Sequence, residues 1–231
     1  MNYEMFNQPL FGVTVSVVAY AFGIGVSQKY PRIHPLFVSS LSITSLLLVT
    51  NIPYEAYKVG GDWLSFLLGP ATVALGVPLY KYRSRIKKQL SAIFTAVIVG
   101  CLAGILSAGA FMWMLGGSKQ LVLTMMPKSV SSPIAIELSK LVGGIPELSA
   151  VLTVLTGLIG SMLGKSFLDR LGIRGELATG IATGTAAHGI GTAKLMQSSE
   201  IEGSYSAFSM ALSGIVTSIL FIPIVWWVQN H

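Results

Sequence analysis

The chain is short of charge. Asp, Glu, Lys and Arg make up 10% of its 231 residues and hydrophobic residues 52%, whereas an ordinary soluble domain carries about a quarter charged residues. That balance cannot solvate a globule of this size. It excludes a soluble enzyme, a nucleic-acid binder and a disordered chain, and leaves a polytopic membrane protein. Cysteine is nearly absent: Cys101 is the one thiol, so no internal disulfide can form. The histidines, His34, His188 and His231, are scattered, and with one cysteine they have no metal-ligand spacing. No metal or other cofactor is therefore expected. No nucleophile–base–orienter set is present, which argues against an enzyme. The net charge of +6 does not indicate nucleic acid, because the basic residues sit beside apolar stretches. No basic n-region precedes Pro9–Gln28, so that stretch reads as a retained first span rather than a cleaved signal.

What the chain has is long apolar runs. Clear candidate spans are Pro9–Gln28, Ile33–Ile52, Leu90–Leu115, Leu148–Leu168 and Tyr205–Val228. Three more runs are interrupted. Trp63–Tyr80 carries Pro70 and Pro78. Leu121–Leu141 carries Pro127, Lys128 and Pro133. Leu177–Met196 carries four glycines, four threonines, His188 and Lys194. Broken backbone survives at membrane depth only where protein buries it or it lines a wet cavity, so function is expected there.

Loop charges orient the chain, since Lys and Arg stay cytoplasmic. Lys81, Arg83, Arg85, Lys87 and Lys88 form the dense cluster; Lys29 with Arg32, and Lys165 with Arg170 and Arg174, form smaller ones. With all of these inside, Lys58 and Lys119 lie outside beside Glu4, Glu55, Asp62 and Glu147, and the N-terminus is outside. Leu121–Leu141 then enters and leaves from the outer face. If the C-terminus is also outside, Leu177–Met196 does the same from the inner face. Trp63, Trp113, Trp226 and Trp227 all fall at outer segment ends, as interfacial anchors should.

The sequence also echoes itself. Leu90-Ser91-Ala92 recurs as Leu148-Ser149-Ala150 and as Tyr205-Ser206-Ala207, at spacings of 57 to 58 residues, and the spans opening at 148 and 205 share six of sixteen residues. A further echo pairs Ala71–Lys81 with Gly184–Lys194. A span followed by a broken segment thus occurs at 90–146 and again at 148–200, in opposite orientations. Inverted repeats with discontinuous helices are the architecture of secondary transporters.

Within the broken segments, Pro127-Lys128-Ser129-Val130-Ser131-Ser132-Pro133 packs a cation and three hydroxyls between two prolines. Free backbone N–H groups and the positive end of a half-helix suit an anion, and Lys128 adds a full charge. Alternatively, Lys128 snorkels to the interface and the serines satisfy backbone. Glu137 is its ion-pair partner, a proton carrier, or a surface residue. Gly184 to Lys194 places small residues around His188, the one histidine of the hydrophobic body. That ring either couples anion binding to protonation or bonds a neighbouring carbonyl to hold two helices together. The glycine spacing is not a P-loop, because Ile190 and Gly191 stand where Lys and Ser/Thr belong.

Four segments, LLGPATVALGVPLYK (67–81), PKSVSSPIA (127–135), GGIPELSA (143–150) and GTAAHGIGTAK (184–194), resemble the LrgB/CidB family in order and over nearly the whole chain. That family takes in the bacterial protein YohK and the C-terminal half of the plastid glycolate/glycerate translocator. Its pattern has threonines where Ser131 and Ser132 stand, and a serine where Ala187 stands. The resemblance implies an antiholin-like protein that modulates murein hydrolase activity and lysis with a small LrgA/CidA-type membrane partner. It also implies transport of small monocarboxylates such as pyruvate, glycolate or glycerate.

The expectation is therefore an all-α polytopic protein of the bacterial inner membrane, a single membrane domain. It has about six full spans and two or three broken or re-entrant segments, with residues 9–52 as scaffold, 63–81 as a broken segment and 205–228 as the last span. The substrate site is expected at Pro127, Lys128, Ser129, Ser131, Ser132, Thr185, His188, Thr192 and Lys194, joined by Pro70, Ala71 and Thr72. His188 and Glu137 are the proton-coupling candidates, with H+ or Na+ as the coupling ion. The expected partners are the carboxylate, the bilayer, the LrgA/CidA-type protein and a second copy of the chain in a dimer. The rival reading is a holin-type pore or regulatory subunit.

Overall fold

The computed structural model describes residues 6–31 and 33–230, except the side chains of Leu68 and Thr72. Glu4, Arg32 and His231, which entered the arguments above, lie outside the described residues. Every regular element among the described residues is a helix. A bilayer offers backbone groups no water, so a helix that meets its own N–H and C=O groups is the economical solution. The chain divides into two compact units, Met1–Gly76 and Val77–His231.

In the first unit, α1 (Pro9–Lys29) packs against α2 (Pro35–Thr50) and α3 (Tyr54–Phe66), and α4 (Leu68–Ala74) follows. Proline stands in the first turn of α1 and of α2, where its missing N–H breaks no helical bond. Gly12 and Gly60 let α1 and α3 touch backbone to backbone: a side-chain carbon on Gly12 would lie 2.8 Å from Gly60 Cα. A hydrogen bond of 2.8 Å between Ser16 Oγ and Tyr57 Oη closes the same crossing.

One expectation needs correction here. Ile33–Ile52 reads as a full span, yet α2 has 16 residues, about 24 Å of rise against a hydrocarbon layer of about 30 Å. Trp63–Tyr80 reads as broken. In the structure α3, α4 and α5 (Gly76–Lys81) succeed one another with single-residue breaks, so the run is interrupted, and Tyr54–Lys81 taken together is long and apolar enough to cross a membrane. Pro70 and Pro78 each fall in the first turn of a short helix, so they segment the run without ending it.

The second unit continues with α6 (Arg83–Lys88), α7 (Leu90–Met114), α8 (Lys119–Met125), α9 (Ser132–Leu141), α10 (Pro146–Arg170), α11 (Glu176–Ser198) and α12 (Glu200–Gln229). The helices α7, α10 and α12 are long and apolar enough to span. Two core clusters show that α7 and α12 run in the same direction. Ile93, Val97 and Cys101 pack with Tyr205 and Leu212; further along, Ile105 packs with Phe221. Each cluster is completed by a different broken segment. Ile181 of α11 enters the first, and Leu123, Leu138 and Val142, from α8, α9 and the residue after α9, enter the second.

Both broken segments fold back on themselves. In α8–α9 the chain descends along α7, with Met126 beside Gly109 and Ser129 Oγ beside Gly104. It then returns through α9, so that the N–H of Ile145 donates to Thr124 Oγ1 at 2.8 Å. Gly104 precedes Met114 by ten residues, about 15 Å of helix, so the tip reaches half the depth of a span. In α11 the helix breaks at His188, whose φ of 40° and ψ of −136° are non-helical. Residues 183 and 191 would be about 12 Å apart in a straight helix, yet a side-chain carbon on Gly191 would lie 2.7 Å from Thr183 Cγ2. Gly184 and Thr192, one on each arm, both meet Ser206 of α12. The hairpin base lies at the opposite end of the unit from that of α8–α9.

Charge separates the two ends. Lys81 pairs with Glu200, Arg85 with Glu176 at 3.6 Å and Lys165 with Glu202 at 3.0 Å, all where α7 and α12 begin. Trp113 and Trp227 share a groove at the other end with Lys119, whose Nζ lies 4.8 Å from the Trp227 ring. The basic clusters at 81–88 and 165–174 thus share one end and an aromatic belt marks the other, the polarity of a spanning bundle.

Candidate functional site

On α7, Ala92, Ala96, Gly100 and Gly104 recur every fourth residue and so share one face. On the first arm of α11, Ala178, Ala182 and Ala186 do the same. These small residues line one groove of about 690 Å³, which runs from the base of the α11 hairpin to the tip of the α8–α9 hairpin. Its polar groups are concentrated at the tip: Lys128, Ser129 and Thr185.

Lys128 is half-buried. Its Nζ donates to Ser129 Oγ at 3.3 Å, and among the described residues no carboxylate lies within ion-pair distance of it. A lone cation at mid-depth costs about 3 kcal/mol and marks substrate paths. Thr185 is 7% exposed and its Oγ1 has no hydrogen-bond partner. Elsewhere in the bundle threonines bond back to the helix: Thr153 Oγ1 donates to Ser149 O and Thr156 Oγ1 to Leu152 O, each at 2.8 Å. The hydroxyl of Thr185 is thus buried and unpartnered at the groove wall, with its methyl carbon against Gly100. The ten-residue helix α9 begins beside Lys128 at Ser131, whose side chain does not cap it, so the positive end of its dipole adds to the lysine. An unneutralised cation, two hydroxyls and a helix start can hold a small anion.

The remaining expected residues fall outside this groove lining. Pro127 is fully buried in the tip, and Ser131 and Ser132 are half-buried at the start of α9. His188 sits at the apex of α11, and its ring Nε2 hydrogen-bonds the carbonyl oxygen of Thr153 at 2.9 Å. Of the two readings of this histidine, the geometry matches the one in which it holds two helices together. Gly157 is what admits the ring, because a side-chain carbon there would lie 2.6 Å from Nε2. Thr192 Oγ1 is shared between the carbonyl of His188 at 2.7 Å and Ser206 Oγ at 2.8 Å, which pins the second arm. Lys194 is half-buried on that arm. Glu137 is exposed on α9 and makes no ion pair with Lys128. Pro70 and Ala71 are exposed in α4 of the first unit, and the side chain of Thr72 lies outside the described ones. Sequence reasoning missed the groove floor. The four-residue spacing of Ala and Gly on α7 and α11 was its available signal.

The model of the LrgB-like family matches residues 16–227. The chain belongs to the LrgB-like family. Similar proteins include uncharacterized protein YwbG of Bacillus subtilis, 39% identical over 88% of this chain and 91% of its own length. YxaC of the same organism is 36% identical over 93% and 94%. Holin-like protein CidB of Staphylococcus aureus is 34% identical over 94% and 96%. No solved structure matches the chain. Membership and helical architecture together make this LrgB-like chain a polytopic membrane protein, as its composition demands.

Proposed function

We propose that this LrgB-like protein carries small monocarboxylate anions, of the pyruvate, glycolate and glycerate class, across the bacterial plasma membrane with its N-terminus outside. The observation that carries the reading is Lys128: a half-buried cation at mid-depth, without a carboxylate partner among the described residues, beside the unpartnered hydroxyl of Thr185. A carboxylate supplies the missing charge and accepts from Lys128, Ser129 and Thr185. A groove of about 690 Å³ admits a two- or three-carbon acid with its water.

The order of span and hairpin supports alternating access. One hairpin follows α7 and the other follows α10, from opposite ends, so each closes one half of the path and rocking either opens one side. His188 serves as the hinge contact between α11 and α10; protonation at Nδ1 would keep the Nε2–H bond to the Thr153 carbonyl, strengthen it and place a positive charge at the apex, and so couple proton to anion. Antiholin-like restraint of murein hydrolase and autolysis then follows indirectly, through carboxylate flux and the proton-motive force. A second reading is favoured by the relatives named holin-like protein CidB: a subunit that sets membrane permeability together with a small LrgA/CidA-type partner.

Proteoliposomes holding the chain alone, loaded with an entrapped dye, separate the two. Saturable pyruvate or glycolate uptake with the dye retained supports carriage, and an inward proton gradient should speed it. Dye release without saturation overturns carriage in favour of the pore.

A further inference from the structure

The basic cluster at 81–88 has a use beyond topology. Its cations divide by partner. Lys81 and Arg85 face inward to Glu200 and Glu176 of the bundle, and buried Ile86 anchors α6 in the first core cluster. Arg83, Ser84, Lys87 and Lys88 are exposed and form a concave cleft of about 400 Å³. Within it Arg83 is already held in place: Nη1 donates to the Tyr80 carbonyl at 3.1 Å, and the guanidinium lies 4.2 Å from the centroid of the Tyr80 ring. Lys87 and Lys88 have no ion-pair partner among the described residues.

We propose that this cleft binds the phosphate of an anionic phospholipid. One fixed guanidinium, two free ammonium groups and the Ser84 hydroxyl complement a phosphate oxyanion, which accepts several charge-assisted hydrogen bonds at once. Position selects the lipid over free phosphate. Two residues beyond Lys88 begins α7, a 25-residue apolar span, and the exposed ring of Tyr80 flanks the cleft, so the cleft lies at headgroup depth with its acyl chains running along α7. Because α6 is also tied to Glu176 at the base of the α11 hairpin, an occupied cleft steadies the end of the groove where that hairpin enters.

The test uses the full chain in uncharged detergent and the anisotropy of fluorescent short-chain phosphatidylglycerol, with phosphatidylcholine as the neutral counterpart. Phosphatidylglycerol should bind saturably and phosphatidylcholine should not. Lys87→Gln/Lys88→Gln should weaken binding by about fivefold for each charge removed. Lys119→Gln, at the other end of the unit, should leave it unchanged, as should Arg85→Gln/Glu176→Gln, which removes a pair without altering net charge. Circular dichroism checks that each variant folds, and Lys88→Gln alone should give the single fivefold loss if the double variant does not. Equal binding of the two lipids, or full affinity in the Lys87/Lys88 variants, overturns the proposal. Displacement of the lipid by inorganic phosphate at matched concentration overturns the lipid assignment in favour of a free oxyanion.

Discussion

The Nε2 of His188 lies 2.9 Å from the carbonyl oxygen of Thr153, 35 residues earlier in the chain, and that bond fixes the apex of the α11 hairpin on α10. The backbone at this apex is left-handed, with φ of 40°, a region that a side chain occupies only under strain. Two opposed effects therefore meet at one residue: the ring bond stabilises the apex and the backbone strains it.

This opposition reverses a familiar order. In an ordinary helix interior Gly is about 1 kcal/mol worse than Ala. At position 188 the backbone favours glycine, and both variants lose the ring. His188→Gly should therefore unfold in detergent later than His188→Ala, by about 1 kcal/mol. Thermal or denaturant unfolding followed by circular dichroism reads it. The usual order, alanine above glycine, would mean that α11 is straight through this position.

Lys128→Gln should separate activity from stability. Losing a hydrogen bond between charged groups costs about 1.5–3 kcal/mol, so KM for the carboxylate should rise at least tenfold. The folded protein should be no less stable, because an unpaired charge has left mid-depth. A fall in stability with unchanged uptake would assign Lys128 a structural contact instead.

Thr185→Val tests the empty hydroxyl. Relieving a buried unsatisfied polar group stabilises by about 1 kcal/mol, and here it should also raise KM. A loss of stability would mean that Oγ1 has a structural partner after all.

Glycine positions should sort by what lies against them. Gly184 faces the Ser206 backbone, which a side chain would strike, whereas a side-chain carbon on Gly104 would lie 3.7 Å from Ser129 Oγ, an ordinary contact. Gly184→Ala should cost about 1–3 kcal/mol by unseating the hairpin from α12, and Gly104→Ala should cost nothing measurable. Equal stability of the two variants would contradict the packing of α11 on α12.

The hairpins were legible in the sequence because proline, glycine and a lone cation or histidine inside an apolar run have few physical uses. Pro127 to Pro133 and Gly184 to Lys194 announced themselves this way. The role of His188 was legible only as a choice between two readings, because its partner is the backbone oxygen of Thr153, and a carbonyl leaves no mark on the sequence. Pro70 and Pro78 read as breaks, and the run is segmented beside each: both stand in the first turn of a new short helix, where no N–H is needed. The groove floor went unread because Ala92, Ala96, Gly100 and Gly104 look like packing residues until α7 is seen beside α11.

The most direct test of the site is protection of a thiol placed at its tip. In a Cys101→Ala background, Ser129→Cys should react with a water-soluble maleimide, since Ser129 lines the groove, and saturating pyruvate should slow that reaction while an uncharged analogue, acetone, should not. Labelling unaffected by pyruvate, in protein whose uptake remains saturable, would contradict a carboxylate site between Lys128 and Thr185.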